Sequence, residues 1–102
     1  MKILLVCAGG MSSSLIVKIL EEEAEKNGQK LAVTAVGSHE FQKEIKNNYD
    51  AVMIAPQIRY LFDHLKKFAE AEGVRIEAIH PQAYSPLGGT KLFNQLQELL
   101  NR

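Results

Sequence analysis

Apolar residues fill every position from Ile3 to Val6. A short run without polar alternation is what a parallel strand covered on both faces requires, so the pattern predicts a first strand over 2–6, ended by Gly9-Gly10. From 11 to 27 the period changes. Leu15, Ile16, Ile19, Leu20 and Ala24 recur at helical spacing, Glu21, Glu22, Glu23, Glu25 and Lys26 take the opposite face, and Asn27-Gly28 supplies a stop. The segment 31–36 alternates apolar and small residues into Gly37-Ser38, where Ser38 is placed to cap a short helix through about 47. A third strand is predicted over 50–55. Pro56 stops it and also suits the opening turn of a helix over 57–72, which Gly73 closes. A fourth strand over 74–79, an irregular segment with two prolines over 81–89 and an amphipathic helix over 90–101 complete the chain.

Strands alternating with helices argue for an α/β fold: a four-stranded parallel sheet, helices on both faces, right-handed crossovers. The flavodoxin-like order 2-1-3-4 is the expected arrangement. Ligands of such sheets collect beyond the carboxyl ends of the strands, beside the point where strand order reverses. That rule singles out 7–14, 37–40, 56–60 and the segment from His80 onward.

The chain has 102 residues, 46% hydrophobic and 24% charged, which suits one globular domain spanning 1–102 and able to fold alone. Lysine plus arginine equals aspartate plus glutamate at 12 each, so no positive field gathers a nucleic acid backbone. One cysteine allows no internal disulfide and fits a reducing cytoplasm. The start faintly imitates a lipoprotein signal, but its apolar run is short and Val6 is a poor residue before a processing site. No apolar stretch reaches the roughly 18 residues of a membrane span, so a membrane role is expected only through a partner.

The chemistry concentrates in the first loop, Cys7-Ala8-Gly9-Gly10-Met11-Ser12-Ser13-Ser14. Glycines let the backbone turn its N–H groups inward, and a helix start adds unpaired donors and a positive dipole end, a combination that cradles phosphate. Serine hydroxyls add donors. The same positive end favours the thiolate of a cysteine placed before it. The loop has neither the Gly-Lys-Ser/Thr ending of a Walker A motif nor G-x-G-x-x-G, so nucleotide binding lacks support and no cofactor is expected. A receiver domain needs an acidic pocket at the carboxyl ends, whereas Asp50 falls at the start of the third strand. The alternative is a small cysteine phosphatase, whose loop carries an arginine that clamps the transferring group; Ser13 stands in that position here. Hydrolysis also needs a general acid, and the chain contains no Asp-Pro pair. A loop that takes phosphate on cysteine without either aid is suited to storing it.

This loop resembles that of the enzyme IIB component of the lactose/cellobiose family of the bacterial sugar phosphotransferase system. The family pattern Cys-x-x-Gly-Met-Ser-(Ser/Thr)-Ser-Leu is met by Cys7, Gly10, Met11, Ser12, Ser13, Ser14 and Leu15, and the likeness continues in Pro56-Gln57-Ile58-Arg59-Tyr60. The resemblance implies a cytoplasmic carrier in which Cys7 takes phosphate from a histidine of enzyme IIA. It then passes the group to a sugar, a β-linked disaccharide such as cellobiose, entering through membrane enzyme IIC. Ala8 to Ser14 would bind the phosphoryl group. Met11 and Leu15 offer an apolar surface beside it, though Leu15 equally suits the core. Gln57, Arg59 and Tyr60, at the neighbouring strand end, are candidate partner contacts, as is Tyr84 in the segment 84–89 that forms a possible far wall. His39, His64 and His80 have no second ligand at metal-binding spacing and are expected to be surface or capping residues.

Overall fold

The computed structural model describes residues 1–8 and 12–102, the side chains of 12 and 13 excepted. Strands β1 (Lys2–Cys7), β2 (Ala32–Gly37), β3 (Ala51–Ile54) and β4 (Arg75–Ala78) form one sheet in the order β2-β1-β3-β4. Every neighbouring pair is parallel, as expected.

The sheet sorts its side chains by the two-residue period of a strand. Ile3 and Leu5 of β1 join Ala51 and Met53 of β3 on one face, while Leu4, Val6, Val52 and Ile54 point to the other. Registers Ile3↔Ala51 and Leu5↔Met53 set the first group side by side. That face is covered by α1 (Ser12–Lys26), through Ile16, Leu20 and Ala24, and by α4 (Gly89–Leu100), through Leu92, Phe93, Leu96 and Leu99. The opposite face is covered by α2 (Phe41–Glu44) and α3 (Phe62–Ala71), through Phe41, Leu65 and Ala69. Burying each large aliphatic side chain contributes about 1.5–3 kcal/mol, which is why β1 and β3, apolar at every buried position, take the centre.

Two helices end by the same device. Gly28 and Gly73 adopt φ of 71° and 68°, and just beyond them the N–H groups of Gln29 and Val74 donate back to Ala24 and Ala69, each at 2.9 Å. Glycine enters that left-handed region with no side-chain cost, so both stops are built into the sequence.

Two expectations need correction. Ser38 does not cap a helix running to 47: α2 is a single turn whose N-cap, Glu40, makes no side-chain cap bond. Complete burial of Phe41 holds this turn in place of a capping bond. The helix expected over 57–72 opens instead as a 3₁₀ segment, Pro56–Leu61, and becomes α-helical only at Phe62. Ile58 leaves helical geometry there, at φ −119° and ψ 22°, and its side chain is buried beneath the strand end. Packing of Ile58 overrides the helical pattern of the segment.

The amino edge of the sheet is closed by its own polar groups. The Lys2 N–H donates to Asp50 Oδ2 at 2.7 Å, and the Asp50 N–H donates to the Lys2 carbonyl at 2.7 Å. Asp50 is thereby a structural clasp at the edge opposite the ligand side.

Candidate functional site

Cys7 is the last residue of β1 and pairs in register with Gly37 of β2. Its side chain is 6% exposed and packs with Val6, Ile54, Ala55 and Ile58. The thiol is free, and its proton is given to the Val36 carbonyl at 3.4 Å, across the strand pair. The sulfur therefore sits at the carboxyl end of a central strand, at the reversal of strand order between β2-β1 and β1-β3. In an open parallel sheet this is the crevice where ligands bind.

Ala8, next in the chain, is exposed. Gly9, Gly10 and Met11 lie outside the described residues, as do the side chains of Ser12 and Ser13. The backbone from Ser12 to Ser14 forms the first turn of α1, so its N-terminal N–H groups and dipole end follow Cys7 closely in the chain. No acidic residue occupies that first turn, so no side chain of the turn itself neutralises the positive end. Ser14 is exposed and already engaged in an interaction of its own. A buried thiol before an uncompensated helix N-terminus can accept a dianionic group: the added group, rather than the sulfur, is what must reach solvent.

Two large apolar side chains on elements that follow strand carboxyl ends are exposed: Leu15 in the first turn of α1 is 50% exposed and Tyr60 in the 3₁₀ segment 78%. Leu87, 99% exposed, lies instead beside Ile19, Glu22, Glu23 and Lys26, farther along α1. Leu15 is thus a surface residue, not a core one. Gln57 and Arg59 are exposed on the same 3₁₀ segment. Arg59 forms no ion pair with a described carboxylate and lines, with Phe62, Ala78, Ile79, His80 and Pro81, a cavity of about 360 Å³ between the ends of β3 and β4.

Tyr84 reaches the Cys7 region from the far side. It follows the 3₁₀ turn Pro81–Ala83 and is half-buried against the cluster that contains Cys7. Its phenol is held above the usual tyrosine range, first by burial and then by the neighbouring charge of a Cys7 thiolate. The histidines fall elsewhere: His39 is exposed in a turn, His64 lies edge-on to Phe68 at 5.3 Å on α3, and His80 is exposed at the exit of β4.

Gln95 is a supporting residue that sequence reasoning missed. It is 4% exposed on α4, accepts from the His80 N–H at 3.0 Å, and donates to the Ala78 carbonyl at 2.8 Å and to Glu77 Oε2 at 3.0 Å. These bonds pin the chain where it leaves β4 and so fix the start of the segment bearing Tyr84. One signal was available: Gln95 interrupts the apolar stripe Leu92, Leu96, Leu99, and a polar residue inside such a stripe has a buried bond to make.

Fold and site together define a flavodoxin-like α/β domain type with a free cysteine at the carboxyl end of its first strand. Residues 2–95 match the model of the family described as PTS system, Lactose/Cellobiose specific IIB subunit, and the chain belongs to that family of phosphotransferase components. It is 35% identical over 99 residues to the oligo-beta-mannoside-specific EIIB component of Bacillus subtilis, with 97% of this chain and 95% of that one covered. It superposes on the lactose-specific IIB component domain from Streptococcus pneumoniae with a TM-score of 0.84, at 23% identity and with 97% and 96% of the chains covered, a likeness of fold. Over 74 residues it is also 31% identical to the lactose-specific EIICB component of Streptococcus mutans, covering 72% of this chain and 13% of that longer protein. No helix among the described residues is long and apolar enough to cross a membrane.

Proposed function

We propose that this chain carries a phosphoryl group on Cys7 between enzyme IIA and a sugar held by membrane enzyme IIC. In the first step the Cys7 thiolate attacks the phosphorus of a phosphohistidine on enzyme IIA. The S–P bond forms as the N–P bond breaks, and the electron pair returns to the imidazole. In the second, a sugar hydroxyl attacks the same phosphorus, the P–O bond forms, the S–P bond breaks, and Cys7 is left as thiolate while the hydroxyl proton is released. Both steps need the group presented outward for in-line approach, with its charge matched by fixed donors. The loop 8–14 supplies those donors, and Leu15, Tyr60, Gln57 and Arg59 form the surface on which partners dock.

The observation that carries this reading is the position of Cys7 at the end of a central strand, followed in the chain, after 8–11, by a helix whose first turn lacks any acid. Membership of the family supports the phosphotransfer role, and fusion of the B unit with a C component in the lactose-specific EIICB protein supports the membrane partner. For the sugar we infer a β-linked oligosaccharide, in line with the oligo-beta-mannoside-specific relative, the choice within that class resting on enzyme IIC.

The test is reconstituted transfer. Membrane vesicles containing enzyme IIC, supplied with phosphoenolpyruvate, the general phosphotransferase proteins and enzyme IIA, should phosphorylate one of an oligo-β-mannoside, cellobiose or lactose only when this chain is added. The isolated chain should release negligible phosphate from an aryl phosphate. Steady turnover of the aryl ester without a protein donor would instead identify a hydrolase.

A further inference from the structure

Among the described residues, Tyr84 alone borders both hydrophobic clusters, one on each face of the sheet. Tyr84 follows the exit of β4, packs on the cluster that contains Cys7 and lies close enough for the Cys7 charge to act on it, so it sits past the carboxyl end of the strands beside Cys7. Its ring is anchored by this double packing. Its hydroxyl, by contrast, makes no hydrogen bond among the described residues. Burial and the charge at Cys7 both keep the phenol protonated, and Cys7 is the one titratable group whose charge reaches it. The result is a fixed donor with a proton to give, no acceptor engaged among the described residues, and Cys7 for a neighbour. A hydroxyl so placed gains most from an acceptor that arrives with charge.

We propose that the Tyr84 hydroxyl donates a hydrogen bond to a non-bridging oxygen of the phosphoryl group on Cys7 and holds that group in its doubly charged form. The proposal rests on the reading that Cys7 is phosphorylated, and it gives Tyr84 a role toward the reacting group in place of partner contact alone. Its consequence is protection of the carried group. In loss to water, the water oxygen bonds to phosphorus, the P–S bond breaks with its electron pair on sulfur, and orthophosphate leaves. A proton on the phosphoryl group eases this step, because it passes to the sulfur, which then departs as neutral thiol. A donor that favours the dianion removes that proton and lengthens the life of the intermediate.

Phosphorus NMR of the isolated phosphoprotein tests this, with wild type and Tyr84→Phe each charged by phosphoenolpyruvate, the general phosphotransferase proteins and enzyme IIA. Removing one hydrogen bond to a charged group should raise the midpoint of phosphoryl protonation by about one unit, which is about a tenfold larger protonated fraction above the midpoint. The half-life at slightly alkaline pH should shorten by about the same factor of ten. A partner contact through Tyr84 would move neither quantity, since no partner takes part. Identical midpoints and half-lives, with a phosphocysteine signal present, would overturn the role of Tyr84 and leave the carrier reading intact; no phosphocysteine signal in wild type would overturn both. Should Tyr84→Phe fail to fold, wild type carrying tyrosine labelled at Cζ gives the answer. Phosphorylation should shift the Tyr84 resonance while Tyr49, at the opposite edge, stays in place, and an unmoved Tyr84 resonance refutes the contact.

Discussion

Replacement of Gly88 by alanine should cost stability through collision with backbone, and the neighbouring Gly89 provides the control. A Cβ built on Gly88 lies 2.7 Å from the Gln82 carbonyl oxygen and 2.8 and 2.9 Å from the carbonyl oxygen and carbon of Ala83. All three atoms belong to the 3₁₀ turn just before Tyr84, and none can rotate away. A Cβ on Gly89 comes within 2.7 Å of the Ile19 Cγ2, the end of a side chain that can change rotamer, and otherwise makes only an ordinary 3.7 Å contact with Glu23 Oε2. Overpacking of this kind costs about 1–3 kcal/mol when the backbone must move. For Gly88→Ala a loss of about 2 kcal/mol corresponds to a fall in Tm of roughly 8–16 °C in a chain of this length. Gly89→Ala, relieved by a rotamer change of about 1 kcal/mol, should fall about half as far. Urea and thermal melts of both variants measure the difference. Because the displaced turn leads into Tyr84, Gly88→Ala should also shorten the life of the phosphocysteine while Gly89→Ala does not. Equal melting losses, or a Gly88→Ala variant as stable as wild type, would show that the packing of 82–83 on 88 is wrong.

Three further outcomes are expected. Gln95→Leu should cost about 1–3 kcal/mol in urea melts, because it leaves buried groups at the exit of β4 without partners, and amide exchange at His80 should accelerate. Glu44 accepts from Tyr49 Oη at 2.6 Å and from Asn47 Nδ2 at 3.1 Å, and these bonds, the first foremost, hold its carboxyl below the usual range. A lowered folded-state pKa gives stability that is present above the unfolded value and lost as pH falls through the folded one; Glu44→Gln should therefore flatten the acid limb of a stability profile below about pH 4.3, and an unchanged limb would refute the linkage. Leu15→Ser and Tyr60→Ser remove exposed side chains, so each should leave stability within about 0.5 kcal/mol while weakening transfer from enzyme IIA, read as a rise in the donor concentration needed for half-maximal rate. Unchanged donor dependence in both would remove them from the docking surface.

Much of the architecture could be read before any coordinates because its two central strands carry their instructions locally. Leu4, Val6, Val52 and Ile54 face one way, and Ile3, Leu5, Ala51 and Met53 the other. That requires helices on both sides, and Gly28 and Gly73 mark where two of them stop. Reversal of strand order beside β1 then follows, and with it the placement of Cys7 at the ligand edge. Ser38 misled because a capping residue has meaning only where a helix begins, and the start of α2 is set by burial of Phe41. The 3₁₀ opening of 56–61 was hidden for the same reason: Ile58 is held by tertiary contact, which a local helical period does not reveal. At the site, the strand that bears Cys7 was legible and its acceptor was not. The Val36 carbonyl meets the thiol only through the register of β1 on β2, a fact of pairing rather than of sequence. Tyr84 was found as part of a far wall, but its contact with both faces of the sheet depends on how 81–88 folds over the strand ends.

The most direct measurement of the central claim is the intact mass of the chain after incubation with phosphoenolpyruvate, the general phosphotransferase proteins and enzyme IIA, for wild type and Cys7→Ser. Serine is close to isosteric and a much weaker nucleophile at neutral pH, so the variant should keep the fold, checked by its melt, and lose only the acceptor. Wild type should gain a single phosphoryl group of about 80 Da and Cys7→Ser none. A wild type that gains no mass, or a folded Cys7→Ser that gains as much, would contradict the assignment of Cys7 as the carrier.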